Sequence, residues 1–307
     1  MLNREHLLRE IAENIWKKAV TAGFRGSDPY DGLNSILLAP LARHTRATRL
    51  ALTQAVKRCP LDLRGILLVP SGFNPKGTAL FISGLSGYQK LDPECMYAVW
   101  LEDLLLSQAS GPEGEPIFSP ERTIQAGLAR KLLRDDFQGN TPMGWGYHFP
   151  WQGRAFFLPA WFPTVVCTSF VLDSFADSGS SLYPAVARST AHMVNNHLNR
   201  FEDSSGICFS YSPADDSRVF NASLFGAKIL ARAHRFCSGK SEVWKDLAEK
   251  AVAYVVARQK NNGSWTYGET GYWQKIDNLH TGFVLETIDR SREYCRQRNG
   301  TIALEEG

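Results

Sequence analysis

Asp277, Asn278, His280 and Thr281 stand together where a loop rich in glycine and tryptophan gives way to a helical pattern. A capping role accounts for Asp277 or Asn278, because a short polar side chain at a helix start accepts orphan backbone N–H groups. It leaves His280 without a task. The dipole at a helix N-terminus disfavours the imidazolium, so His280 is expected to be neutral and available as a base or hydrogen-bond partner. Glu269, just past Tyr267, adds a second carboxylate to the same loop, unless it simply faces solvent. The segment PMGWGYHFPWQGR brings Tyr147, His148 and Arg154. Arg154 either clamps a carboxylate or phosphate through two parallel bonds or pairs with a structural acid. Asp31, in DPYDGLN, is either an ordinary turn residue or an acid or base at the same rim. The stretch CFSYSPADDSRVFNASLFGA adds Tyr211, Asp215, Asp216 and Asn221. Asp215 and Asp216 read as helix-start charges; Asn221, inside an apolar helical turn, needs partners.

Aromatic residues surround these groups. Five of the eight tryptophans (Trp145, Trp151, Trp161, Trp265, Trp273) lie in two glycine-rich loops, joined by Tyr147, Tyr267 and Tyr272, with Tyr211 in a third. A single tryptophan is most often packing. A concentration of them beside hydrogen-bonding groups suits sugar rings, whose C–H faces stack while their hydroxyls bond to side chains. The same surface suits an isoprenoid cation. The expected catalytic set is Asp31, His148, Tyr211, Asp277 and His280. The expected substrate contacts are Trp145, Tyr147, Trp151, Arg154, Asn221, Tyr267, Glu269, Trp273 and Asn278.

Two reaction types fit these groups. Glycoside hydrolysis or transfer needs two carboxylates, one of them protonated, and Asp31, Glu269 and Asp277 suit it. Lyase or C5-epimerase chemistry needs a base for the proton α to a uronate carboxylate and a cation to hold that carboxylate. His148, His280, Tyr147, Tyr211 and Arg154 suit that. The residues leave both open. No glycine-rich phosphate loop, HExxH, GxSxG or DxDD occurs, and neither a metal nor a cofactor is expected. The six cysteines are scattered without a CxxC, as in reduced thiols of a cytoplasmic protein. A net charge of +3 gives no reason to expect nucleic acid or an anionic membrane as partner. The charged amphipathic start, MLNREHLLREIAENIWKK, is not a signal peptide, and no apolar run is long enough to span a bilayer.

The elements that must position these groups are helices. With 307 residues and 44% hydrophobic content, the chain suits one domain over 1–307. Helices are predicted at about 3–22, 34–40, 45–58, 76–89, 94–109, 119–134, 163–177, 181–200, 219–237, 241–260 and 277–296. The run Ile66–Val69 is the best strand signal, and it is weak. Long loops at Gly139–Phe162, Gly206–Ser217 and Asn261–Ile276 interrupt the helical rhythm. Eleven segments approach the twelve of six helical hairpins closed in a ring, an (α/α)6 toroid in which loops of one rim meet over a central funnel.

The segment from Lys250 through Gln259 to Gly263 and Trp265 resembles the QW repeat of terpenoid-cyclase and prenyltransferase-like α/α toroids. Its physics is that of a brace. Trp244, Leu247, Ala248, Ala251, Tyr254 and Val255 form an apolar stripe, Gln259 can bond backbone groups near the helix end, and Trp265 can lie across the terminus. DPYDGLN (28–34), NPKG (74–77), GWGYHFPWQGRAFF (144–157), PTVVCTSFVLDSF (163–175), CFSYSP (208–213), FNASLFGAKILAR (220–232) and QKNNGSWTYGE…IDNLHTGFVLE (259–286) resemble a second group. These are bacterial VpsJ-like proteins of polysaccharide and O-antigen biosynthesis clusters, some bearing a δ-aminolevulinic acid dehydratase label. Leu279 stands where that family usually has Phe, a change that preserves packing. The resemblance implies an all-α toroid of the terpenoid-cyclase or six-hairpin-glycosidase kind, in surface or exopolysaccharide synthesis. Its substrate would be a glycan or lipid-linked saccharide, with association with polysaccharide-assembly enzymes. It carries no established reaction. A non-catalytic glycan-binding or assembly factor and a polyprenyl-substrate enzyme are the alternatives.

Overall fold

A computed structural model describes residues 2–42, 45–89, 97–117, 141–153, 156–236 and 241–295. The predicted helix at 119–134 and Arg154 lie outside them. The described residues are mostly helical. Ten helices are present among them: α1 (Leu2–Thr21), α2 (Ala39–Ala42), α3 (Arg46–Arg58), α4 (Pro75–Gln89), α5 (Tyr97–Ser107), α6 (Val165–Asp177), α7 (Tyr183–His197), α8 (Phe220–His234), α9 (Ser241–Val256) and α10 (Asn278–Cys295). None of these is long and apolar enough to cross a membrane.

Alternation along the chain becomes two rows in space. α4, α6, α8 and α10 pack one on the next, and α5, α7 and α9 lie against them in a second row. α8 occupies the centre; Phe220 through Ala233 are buried without a break. A helix apolar or buried all round is one that is covered on every side. The starts follow local chemistry. Pro75 opens α4, where its missing N–H is no loss. The Thr164 hydroxyl caps α6 by accepting the Cys167 amide at 3.1 Å. α7 ends at His197 and not at 200, because Leu198 turns extended and leads into a hairpin.

Three departures from the sequence reading have physical causes. The predicted helix at 34–40 is a 3-10 turn, Asp31–Asn34, followed by the four-residue α2. Ile66–Val69 is a turn and not a strand, with the Leu67 amide bonded to the Leu63 carbonyl at 2.8 Å and Leu68 at φ 50°. Its amides bond locally, while the Leu67 and Leu68 carbonyls accept from the Ser35 hydroxyl and the Ile36 amide, so no ladder forms. Two small antiparallel hairpins were not expected: β1 (Trp151–Gln152) with β2 (Phe157–Leu158), and β3 (Arg200–Asp203) with β4 (Gly206–Phe209). Gly206, at φ 135°, turns the second; a Cβ there would meet the Lys250 carbonyl oxygen at 2.1 Å.

The brace at 259–265 forms as its spacing implied. Trp265 is 3% exposed and its Nε1 donates to the Val255 carbonyl at 2.8 Å. Gln259 Nε2 donates to the Gly263 carbonyl at 3.0 Å, holding the turn in which Gly263 sits at φ 78°. Deeper between the rows, Lys228 and Arg232 of α8 flank Asp173 of α6, each at 2.6 Å. Cys59, Cys167 and Cys208 are free thiols.

Candidate functional site

The N-terminal halves of the inner-row helices converge. Lys76 Nζ, from α4, lies 4.4 Å from the ring centre of Phe170 on α6 and 5.7 Å from that of Phe283 on α10. Phe170, Phe225 and Phe283 contact one another with ring centres 5.6 to 5.9 Å apart. Three helices thus supply an aromatic floor and a fourth sets a cation on it. Burial lowers the Lys76 pKa, while the nearby Cys167 and Asp28 partly offset the effect. Burial likewise pushes the Cys167 thiol up to about 11, against the hydrogen bond from Thr164 and the charge of Lys76.

Above this floor runs an aromatic wall drawn from all three long loops. Tyr147 stacks on Phe149 at 5.4 Å and meets Trp151 edge-on at 6.2 Å. Trp151 lies 5.7 Å from Tyr211, and Phe156 lies 5.4 Å from Tyr211 and 6.4 Å from Trp273. Trp273 meets Tyr267 at 5.3 Å, and Tyr267 lies 4.1 Å from the His280 ring. The Tyr147 hydroxyl sits against those of Tyr211 and the Cys167 thiol; burial first, then these neighbours, hold it protonated far above the ordinary phenol range. Burial raises Tyr211 in the same way. Tyr267 is raised by burial and then by the charges of Asp277, Asp215 and Tyr30.

His280 and Asp277 form a dyad at the end of the wall. Asp277 Oδ1 accepts the His280 amide at 2.9 Å and Oδ2 lies 2.6 Å from Nδ1 of the ring. Burial tends to raise the Asp277 pKa, but its bonds to the His280 amide and ring outweigh that and lower it. With Nδ1 held, Nε2 is the nitrogen left to face a substrate. Asn278 and Leu279 are exposed beside them.

Other expected site residues have partners of their own. Asp31 is wholly buried; Arg64 Nε lies 3.0 Å from its Oδ1, and the Asp28 amide donates to its Oδ2 at 2.9 Å. Glu269 is held by Arg258 Nε at 2.7 Å, the Tyr254 hydroxyl at 2.8 Å and Arg218. Burial would raise its pKa, yet these three bonds lower it. Trp145 is 0% exposed and donates to the Leu105 carbonyl at 2.7 Å, so its faces are packed and not presented. Asp215 starts no helix. Its carboxylate accepts the Ser212 amide at 2.7 Å and the Ser217 amide at 2.9 Å, stapling the loop that carries Tyr211. Asn221 is buried on α8, with Oδ1 lacking a partner among the described residues. His148 is buried behind the near end of the wall, its ring 5.0 Å from Phe149 and 6.3 Å from Trp161. Burial lowers its pKa, and Asp31 opposes this.

Lys76, Cys167 and Asp28 went unassigned in the sequence reading. The available signal was in NPKG, where a lysine follows a helix-opening proline with no acid within a turn on either side to pair with it. Among the described residues, no three His, Cys, Asp or Glu side chains are grouped to hold a metal ion. The chain matches no known family model and no curated protein.

Proposed function

We propose that this protein is a carbohydrate-active enzyme that abstracts the proton α to a uronate carboxylate, as a lyase or C5-epimerase does, within bacterial surface-polysaccharide synthesis. The observation that carries the reading is the Asp277–His280 dyad beside Tyr267, at the end of a wall of stackable rings. Asp277 holds Nδ1, and His280 Nε2 takes the C5 proton. Lys76 binds the carboxylate and stabilises the negative charge that grows on it as the proton leaves. The buried phenols of Tyr267, Tyr211 and Tyr147 remain protonated and return a proton, to the opposite ring face for epimerisation or to the departing glycosidic oxygen for elimination.

Two observations favour this over hydrolysis by paired carboxylates. Asp31 and Glu269 are both committed to arginines. A glycosidase acid must instead hold a proton near neutral pH, which the lowered pKa of Glu269 opposes, and Asp31 is wholly buried. A polyprenyl substrate is disfavoured by Lys76, whose ammonium occupies the aromatic floor where a carbocation would rest. Convergence of α4, α6, α8 and α10 on that floor supports an (α/α)6 toroid; membership of the VpsJ-like family and a cytoplasmic setting belong to the same proposal and rest on the sequence resemblance.

The test is incubation with uronate-containing oligosaccharides in D2O, following C5 deuteration by NMR and unsaturated-uronate absorbance. Exchange or elimination that falls by about 10²-fold or more in Lys76→Met supports the assignment. Binding without exchange makes the protein a non-catalytic glycan receptor, and cleavage without exchange at C5 makes it a hydrolase.

A further inference from the structure

We propose that the cleft between α1 and α4 is a second sugar site, built to hold one uncharged ring of hexose size. Only the choice of ligand class rests on the reading above; the cleft stands on its own geometry. It measures about 170 Å³, and its lining includes Phe24, Asp28, Asn74, Thr78, Phe81 and His148. A closed apolar cavity of about 150 Å³ holds one benzene; this cleft is open to solvent on one side, so a hexose ring can seat one face and leave its other substituents outside.

Two side chains in this cleft have polar atoms without partners. His148 is 7% exposed, and neither Nδ1 nor Nε2 has a hydrogen-bond partner among the described residues. Thr78 is 2% exposed, and its hydroxyl is in the same position. Burying such groups unpaired costs free energy, and most native examples are satisfied by a partner. These two come from separate elements, a helix and a loop, yet they line one cavity. His148 lies there only because residue 72 is glycine: a Cβ would fall 2.2 Å from its Cδ2.

The rest of the lining selects the ligand. Asp28 offers a carboxylate, and the Asn74 amide donates toward it across 3.5 Å. Phe24 and Phe81 meet edge-on at 5.3 Å and close the other side. Phe24 is held at φ 58°, a backbone region that a phenylalanine rarely adopts. A ring with hydroxyls on its rim and carbon on its face satisfies both sides. An apolar ligand would leave His148 and Thr78 unpaired, and Arg25 and Asp28 both line the cleft, so their opposite charges offset and suit a neutral polar ligand. Burial keeps His148 neutral, so it offers one donor and one acceptor, as a hydroxyl pair requires.

This cleft and the Lys76 site lie on different faces of α4, with Asp28 near both. Lys76 and Thr78 are two positions apart on α4, roughly 200° around the helix. One helix start therefore shows its cation to Phe170 and Phe283 and its hydroxyl to the cleft. A polysaccharide enzyme with such a pair of sites would hold an uncharged residue of its substrate away from the reacting uronate.

The experiment is a titration of the full chain, 15N-labelled at histidine and tryptophan, with methyl glycosides of glucose, galactose, mannose and N-acetylglucosamine. His148→Phe and Trp273→Phe assign the relevant signals. The expected result is that at least one glycoside shifts both His148 ring nitrogens in a saturable way. Thr78→Val should weaken that binding about five- to tenfold, the effect of one hydrogen bond. Undiminished binding by Thr78→Val overturns the proposal. A glycoside that shifts the Trp273 indole and leaves His148 unmoved overturns it while the glycan reading stands. If no glycoside moves either signal, the cleft proposal falls, and the uronate assay above judges the glycan reading separately.

Discussion

Asp277 touches His280 twice: Oδ1 accepts its backbone amide at 2.9 Å, and Oδ2 lies 2.6 Å from its ring Nδ1. One carboxylate therefore caps α10 and sets the tautomer and direction of the imidazole. The two roles are separable, because asparagine caps a helix as well as aspartate does but cannot stabilise an imidazolium.

Asp277→Asn should consequently leave stability within about 0.5 kcal/mol of the parent. Turnover on the proposed uronate substrate should fall by about 10²-fold or more. Urea denaturation and C5 exchange rates measured on the same preparation decide it. Unchanged turnover would reduce Asp277 to a cap.

Trp265→Ala should lower stability by about 3–5 kcal/mol, the cost of deleting a large buried aromatic. The indole is 3% exposed and its N–H satisfies the Val255 carbonyl at 2.8 Å, at the end of α9. If this variant unfolds like the parent but loses sugar binding, the indole is a recognition surface and not a brace.

Acid should destabilise the fold in part through Glu269. Its bonds to Arg258, Tyr254 and Arg218 overcome the effect of burial and hold its pKa below the unfolded value. Such a carboxylate contributes stability that is fully present above the unfolded pKa, about 4.3, and lost as pH falls through the folded one. Denaturation between about pH 7 and 3 should therefore show a drop that begins near pH 5. Glu269→Gln should be less stable than the parent at neutral pH and show a shallower drop. Parallel pH profiles for the two would mean that the ion-paired carboxylate adds nothing to the fold.

Sequence alone determined the features whose partners lie a turn or a loop apart. The helices of the inner row, the Gln259–Gly263–Trp265 brace and the proximity of Asp277 to His280 are all local, so residue spacing is itself the geometry. Tertiary structure decided whatever depends on which faces meet. Asp31 and Arg64 are joined across thirty-three positions, and Lys228 and Asp173 across fifty-five. No periodicity in the chain could show that Asp31 has a cation waiting. The same holds for Trp145, which reads as a loop platform but is enclosed because α5 offers its Leu105 carbonyl from forty residues away. Lys76 is the converse. Next to Pro75 it reads as an ordinary first-turn residue, and only the docking of α4 on α6, with α10 held beyond by α8, sets its ammonium over Phe170 and Phe283. Chain-distant contacts are specified by complementary surfaces that form only when the helices dock, so spacing along the sequence cannot display them.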